Sequence, residues 1–322
     1  MTNAAGLPFD DIRALIKMMP GPDEEALDAA RVRAASLVDS SGSLGDLGTL
    51  AIWAAGWQGK ARPTAQRPLL AIFAASHGVS PDGEAARARM ELLAAGGAAI
   101  NQICATTDLG LKVFDLALDM PTRDFTTAAA LEEAECAATM AFGMEAIAGG
   151  SDLLSLGAIG RGGATAAAAI AHALYGGKPG DWAEIHDGRE GQVVGDLIAK
   201  AVAHHRGNLS DPLEILRRLG GRDIAAIAGA ILAGRLQRIP VILDGYAVTV
   251  AAAVLHALDS AALDHCIAGH ITPGPHARVV EKLGLRGLLQ LGLTSGEGVG
   301  AALAAGIVKV AINCHNDMAT AS

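Results

Sequence analysis

The sequence predicts an α/β protein: a parallel sheet with helices on both faces, joined by a small helical unit drawn from the two ends of the chain. Three observations carry this. Short apolar runs that read as strands alternate with longer helical segments along most of the 322 residues. Connections long enough to hold a helix are crossovers, which lay successive strands parallel. Alanine and glycine dominate, hydrophobic residues reach 51% and aromatics only 3%, a composition suited to closely packed helices on a sheet and unlike that of a disordered chain.

Taken in order, residues 8 to 37 place apolar residues at helical spacing, with Asp23 and Glu24 of GPDEEA favouring a helix N-terminus. The stretch SSGSLGDLG (40–48) reads as a turn into a helix through Trp53 and Trp57. RPLLAIFAASHGV (67–79) is the first strand, ending in small residues and a histidine. A helix over 84–105, the strand LKVFDLAL (111–118), a helix over 128–148 and the strand DLLSLG (152–157) follow. From 190 to 235 the pattern is helical, with Gly207 and Asp211-Pro212 marking starts. The strand IPVILDG (239–245), a helix over 247–258, the strand-like DHCIAGH (264–270) and a short helix over 276–284 complete the alternation. The expected division is residues 1–60 as an N-terminal helical segment, 61–295 as the α/β core, and 296–322 as a C-terminal helical segment packed with the first.

Charge and cysteine usage narrow the function. The net charge is -9 with no basic run, which disfavours nucleic acid or an anionic membrane as partner, while local loops can still bind an anionic small molecule. Cys104, Cys136, Cys266 and Cys314 form no C-x-x-C pair, so neither zinc nor a disulfide framework is expected, and Cys104 and Cys136 read as buried small hydrophobes on helices. The long apolar runs near 222–258 are interrupted by Arg235, Arg238, Pro240 and Asp244, so no membrane span is expected there. No basic stretch precedes an apolar one at the N-terminus, and the expected compartment is the cytoplasm.

The chemistry concentrates in two glycine-rich loops. Residues 152–175 read as strand, turn and alanine-rich helix opening at Ala164 or Thr165, with Gly157, Gly160, Gly162 and Gly163 in the turn and Arg161 at its crest. Such a turn brings backbone N–H groups and the positive end of a helix to a ligand, for which a phosphate is the natural guest. The structural alternative is that the glycines serve close packing alone. The second loop, SGEGVG (295–300), carries Glu297 at its centre. In open parallel sheets ligands bind beyond the carboxyl ends of strands. The loop after 156, HGV after 76, Asp244 and His270 all fall at such ends.

The segments GSLGDLGTLAIWAAGWQG, FAASHGV, AAGGAAIN, LLSLGAIGRGGATAAAAI, DPLEILRRLGG with IAAIAGAIL, RIPVILDGY, EKLGLRGLLQLGL, SGEGVGAAL and NDMAT follow one another along nearly the whole chain. In that order they resemble the nicotinate-nucleotide:dimethylbenzimidazole phosphoribosyltransferase family of cobalamin lower-ligand synthesis. The resemblance implies a Rossmann-like parallel sheet, a small helical domain from both termini, a homodimer, no metal or other cofactor, and a nucleotide and an aromatic base as substrates. By that resemblance Glu297 matches the glutamate that acts as general base on the azole N–H, suited to the task if the cleft desolvates it. The expected substrate and phosphate contacts are Gly157, Gly160, Arg161, Gly162, Gly163, Thr165, Thr272, Gly296 and Gly298. Asp244 is read either as stabilising oxocarbenium charge or as a helix cap, and His77 either as a substrate contact or as a core hydrogen-bonding residue.

This chain departs from the family pattern at its ligand loops. The family's GEMGIGNTT loop has Ala158 at its acidic position and Gly163 at its asparagine. The segment WAEIHDGREGQVV (182–194) is shorter than its GTG-x-D-D counterpart and puts Val194 about where a phosphate-binding lysine belongs, a contact worth about 1.5–3 kcal/mol. HGVSPDGEAARARM is shorter than its counterpart and lacks a glutamine. The flanks of GSLG become Asp39-Ser40-Ser41 and Asp46, Ser76 replaces an acid, and HRSAEPGH becomes GHITPGPH. Two readings follow: a phosphoribosyltransferase with altered substrates, or a non-catalytic paralogue that binds a nucleotide or base or pairs with an active homologue as a heteromer. A nucleotide-binding reductase ranks third, since no G-x-G-x-x-G is followed by an acid at the next strand's end.

Overall fold

The computed structural model describes residues 6–39, 41–80, 83–184 and 191–321. The readings above that involve Ser40, Pro81 and Asp82, or residues 185–190, fall outside them. The elements begin with α1 (Pro8–Lys17), α2 (Glu24–Ser36), α3 (Ser41–Leu44), α4 (Asp46–Gln58), β1 (Pro68–Ala74), α5 (Gly83–Ala94), α6 (Ala99–Thr107), β2 (Gly110–Asp115), α7 (Glu133–Ala146), β3 (Leu153–Ile159) and α8 (Gly163–Tyr175). They continue with a 3-10 turn (Pro179–Trp182), α9 (Gly191–His204), α10 (Pro212–Leu219), α11 (Arg222–Leu236), β4 (Val241–Leu243), α12 (Tyr246–Leu258), β5 (Cys266–His270), α13 (Pro275–Lys282), β6 (Gly287–Leu289) and α14 (Val299–Asp317).

All strand pairings within the sheet are parallel, in the order β2-β1-β3-β4-β5-β6. Alternate residues of β1 serve opposite faces. Leu69, Ala71 and Phe73 join the core under α7, α8, α11 and α12, while Leu70, Ile72 and Ala74 join the core under α4, α6 and α14. The sheet is therefore buried on both faces, and its central strands read as unbroken apolar runs for that reason. On the first face α7 and α11 approach to backbone contact, because a Cβ on Gly143 would overlap the Ala226 carbonyl and one on Gly229 the Met140 carbonyl.

Several boundaries differ from the sequence reading, each for a local reason. The helical stretch over 8–37 holds two helices parted by Pro20-Gly21-Pro22, and the second opens at the N-terminus expected at Asp23-Glu24, with Asp23 accepting from Ala26 N–H. The helix expected over 84–105 breaks at Gly96-Gly97 into α5 and α6, with Gly96 at φ +75°. The turn expected over 40–48 already contains α3 and the start of α4, and α7 begins at Glu133 rather than 128. The run before SGEGVG forms β6, a sixth strand beyond those set out above. The glycine-loop helix opens at Gly163. Cys104 and Cys136 are buried on α6 and α7 as expected, and all four cysteines are unbridged.

The two ends of the chain meet. α4 packs on both α2 and α14, Arg33 donates to the carbonyls of His315 and Asn316, and Val38 donates to Ala319. α1 instead lies across the other face against α7, where Phe9, Ile12 and Ile16 are buried. Among the described residues α14 alone is long and apolar enough to cross a membrane, and half of it is buried against the sheet, α4 and α6.

Candidate active site

The order β2-β1-β3 makes the chain leave β1 and β3 toward opposite sides of the sheet, and that divergence opens a crevice beyond their carboxyl ends. The crevice has two lobes that share Ala158, Gly160 and Ser295. One, of about 700 Å³ and open to solvent, is floored by Gly163 and Ala164 at the start of α8 and walled by Glu184, Asp223, Tyr246, Thr272 and Gly296. The other, of about 630 Å³, is lined by Ala85, Ala86 and Arg89 of α5 with Ile159, Arg161 and Glu297.

The two glycine-rich loops are stitched together where the lobes join. Ala158 N–H donates to the Gly296 carbonyl at 3.2 Å. Gly157, at the end of β3, lies directly under the following turn: a Cβ there would sit 2.6 Å from the Glu297 carbonyl carbon. Glu297 is flanked by Gly296 (φ +64°) and Gly298 (φ +87°), left-handed positions that a larger side chain would strain. Gly298 is the N-cap residue of α14 and supplies no side-chain cap. Asp244, from the end of β4, takes that role across the fold, accepting from Gly300 N–H at 2.8 Å and also bonding the Gly298 and Ala301 amides. Burial pushes the Asp244 carboxyl up to about 6, against the opposing pull of those amides.

The Glu297 carboxylate is held from α5. Arg89 Nε donates to Oε1 at 2.9 Å and to Oε2 at 3.0 Å, and Arg89 Nη2 donates to Oε2 at 2.5 Å. This is a side-on, two-point ion pair, and the bond to Glu297 raises the Arg89 guanidinium above its ordinary value. The cleft thus presents Glu297 to a guanidinium, a partner that sequence reasoning did not supply.

The first lobe is acidic. Burial pushes the Glu184 carboxyl up to about 7. Asp223, at the first turn of α11, accepts from His77 Nε2 at 3.1 Å, and both side chains are fully buried from solvent behind the Gly163 floor. Tyr246 donates its hydroxyl to the Trp182 carbonyl at 3.0 Å. Two neutral histidines brace the opposite wall. His276 Nδ1 accepts from Thr272 N–H at 3.1 Å, so its Nε2 carries the proton shared with Thr249, whose hydroxyl bonds the Gly245 carbonyl. Burial lowers His276 to about 4. His270 Nε2 accepts from Leu291 and Leu293 N–H groups, which shapes the loop leading to Thr294 and Glu297.

Of the residues singled out in the sequence, Gly160, Gly163, Thr272 and Gly296 line the first lobe, and Gly160, Arg161 and Glu297 the second. The rest stand behind the walls. Gly157 supports the Glu297 turn, Gly162 caps α8 against His77, Gly298 caps α14, and Thr165 is buried within α8. His77 hydrogen-bonds in the core and Asp244 caps α14, the structural alternative in each case. Val194 is buried on α9 within the core, and Ser76 donates to the Leu118 carbonyl. Sequence reasoning missed Arg89, Glu184, Asp223 and Tyr246. Asp223 carried a signal, an acid following Gly220-Gly221 at the head of an otherwise apolar helix. Arg89, in EAARARMELL, carried none that separates it from an exposed helix charge. Among the described residues no group of three His, Cys, Asp or Glu converges as a metal site.

Comparison with known proteins gives a consistent result. A family described as "Phosphoribosyltransferase" matches residues 19–322. The chain is 58% identical over 328 aligned positions to a protein of Sinorhizobium fredii, covering 99% of this chain and 97% of that one. It is 58% identical over 326 positions to a protein of Agrobacterium fabrum, covering 98% and 94%. Both relatives bear the name nicotinate-nucleotide–dimethylbenzimidazole phosphoribosyltransferase. A solved structure of the same name from Thermus thermophilus superposes with a TM-score of 0.83 at 33% identity, covering 92% of this chain and 97% of that one.

Proposed function

We infer the reaction from one premise: the chain belongs to the phosphoribosyltransferase family, in the company of near full-length relatives named for nicotinate nucleotide and dimethylbenzimidazole. It is an enzyme that transfers the phosphoribosyl group of nicotinate mononucleotide to dimethylbenzimidazole in cobalamin synthesis. The reading of a lapsed or repurposed paralogue is not favoured at this identity and coverage.

The two-lobed cleft carries our assignment of roles. The nucleotide takes the first lobe, its phosphate on the positive first turn of α8 at Gly163 and Ala164, with Arg161 adding charge at the crest. The base takes the second lobe, against Ala85, Ala86 and Ile159. The anomeric carbon then lies where the lobes join, at Ala158, Gly160 and Ser295. One ring nitrogen of the base forms the new N–C1′ bond with its lone pair. The bond from C1′ to the pyridinium nitrogen breaks, and its electron pair returns to that nitrogen as nicotinate leaves. The proton on the other ring nitrogen passes to Glu297, the general base. Glu184 lines the lobe assigned to the nucleotide, so we place electrostatic stabilisation of the positive charge developing at the ribose there rather than on Asp244. The proposed assembly is a homodimer.

Incubation of the purified protein with nicotinate mononucleotide and 5,6-dimethylbenzimidazole, followed by mass spectrometry, tests this function. Release of nicotinate in step with a phosphoribosylated base is expected. Nucleotide that remains intact at long incubation would refute it.

A further inference from the structure

The turn that carries Glu297 does nothing to fix its side chain. Both neighbours are glycines in left-handed conformations, so no adjacent side chain packs against the glutamate. Its backbone is held by Gly157 and Asp244, but these contacts end at the main chain. Whatever sets the direction of the carboxylate must come from elsewhere in the fold.

We propose that Arg89 is the positioning residue for the general base, fixing the Glu297 carboxylate so that one oxygen faces the acceptor. The hydrogen bonds are unequal in a way that matters. The single Nε proton is shared between Oε1 and Oε2, whereas Nη2 donates to Oε2 alone. An ionised carboxylate oxygen can accept two hydrogen bonds, so Oε1, which only shares the Nε proton, is the oxygen with more capacity for an azole N–H. A side-on guanidinium also sets the plane of the carboxylate, which a single-point contact does not. The pair is partly sheltered, with side chains 30% and 16% exposed, and both residues line the same lobe. Arg89 therefore acts on Glu297 from within the acceptor site, and it comes from α5, the first helix after His77.

This inference rests on the transferase reading, and its test separates the two. In steady-state transfer from nicotinate mononucleotide to 5,6-dimethylbenzimidazole, Arg89→Met should lower kcat about 10- to 100-fold, the range for loss of orientation at a catalytic group, and leave KM for the nucleotide near wild type. Arg89→Lys, which keeps the charge but not the two-point contact, should recover only part of that loss. Added methylguanidinium should raise kcat of Arg89→Met and leave Glu297→Gln unchanged. The double variant should be no slower than Glu297→Gln alone, because the arginine works only through the glutamate. If Arg89→Met turns over at or above the wild-type rate, or if the two substitutions multiply, the positioning role is overturned while the transferase reading stands. If wild type shows no transfer, both fall together.

Discussion

Gly157→Ala is the most economical probe of the Glu297 turn, because it adds one methyl group and no charge. The new Cβ would lie 2.6 Å from the Glu297 carbonyl carbon, and 2.7 Å from the Glu297 carbonyl oxygen and the Gly298 nitrogen. Ordinary van der Waals contact begins near 3.4 Å, so the turn must retreat by about 0.8 Å. Every crowded atom is backbone, and no flexible side chain can yield in its place. Overpacking of this kind costs about 1–3 kcal/mol. A displacement near 1 Å at a catalytic group costs up to about 100-fold in rate. Steady-state transfer should therefore show kcat reduced about 10- to 100-fold, with a modest loss of thermal stability and a smaller change in KM for the nucleotide. A variant that loses stability but keeps its full kcat would refute the claim that the position of Glu297 matters to turnover.

Two other outcomes are expected. The folded-state pKa of Asp244 is raised from 3.8 to about 6, so its contribution to stability is full below pH 4 and fades as pH rises through 6. Two pKa units correspond to about 3 kcal/mol, and the stability of wild type relative to Asp244→Asn should fall by roughly that amount between about pH 4 and pH 6 in denaturant titrations. A pH-independent difference would contradict a buried, titrating carboxyl. Size-exclusion chromatography with light scattering should report about twice the 32.5 kDa chain mass for the purified protein alone, and a monomer would contradict the homodimer.

The parts of the fold that were legible in the sequence are those fixed by periodicity and by backbone chemistry. Strands β1, β3 and β4 are buried on both faces and announce themselves as apolar runs. Gly157, Gly160, Gly162, Gly296 and Gly298 are required by close backbone approach or left-handed φ, and these demands leave a mark in any sequence. Helix ends were harder, since Gly96-Gly97 and Pro20-Gly21-Pro22 each divide a stretch whose apolar spacing runs on through the break. Within the site, residues on the glycine loops could be named in advance. Arg89 could not, because a guanidinium on a helix looks the same in sequence whether it faces water or a carboxylate 208 residues away. Asp244 had the residue type of a substrate contact or a cap, and its capping bond becomes visible only with the path of α14. Val194 shows the same limit in reverse, since a position that the resemblance set about where a phosphate-binding lysine belongs is core.

Glu297 as the proton acceptor is tested most directly by the rate at which Glu297→Gln releases nicotinate. Glutamine keeps the size of the side chain and removes the base, and general-base assistance typically contributes about 10²–10⁴-fold. kcat should fall by that order, with a melting temperature close to wild type because the side chain is partly exposed and caps no helix. A Glu297→Gln enzyme that releases nicotinate at the wild-type rate, or one whose lost activity merely tracks lost folded protein, would contradict it.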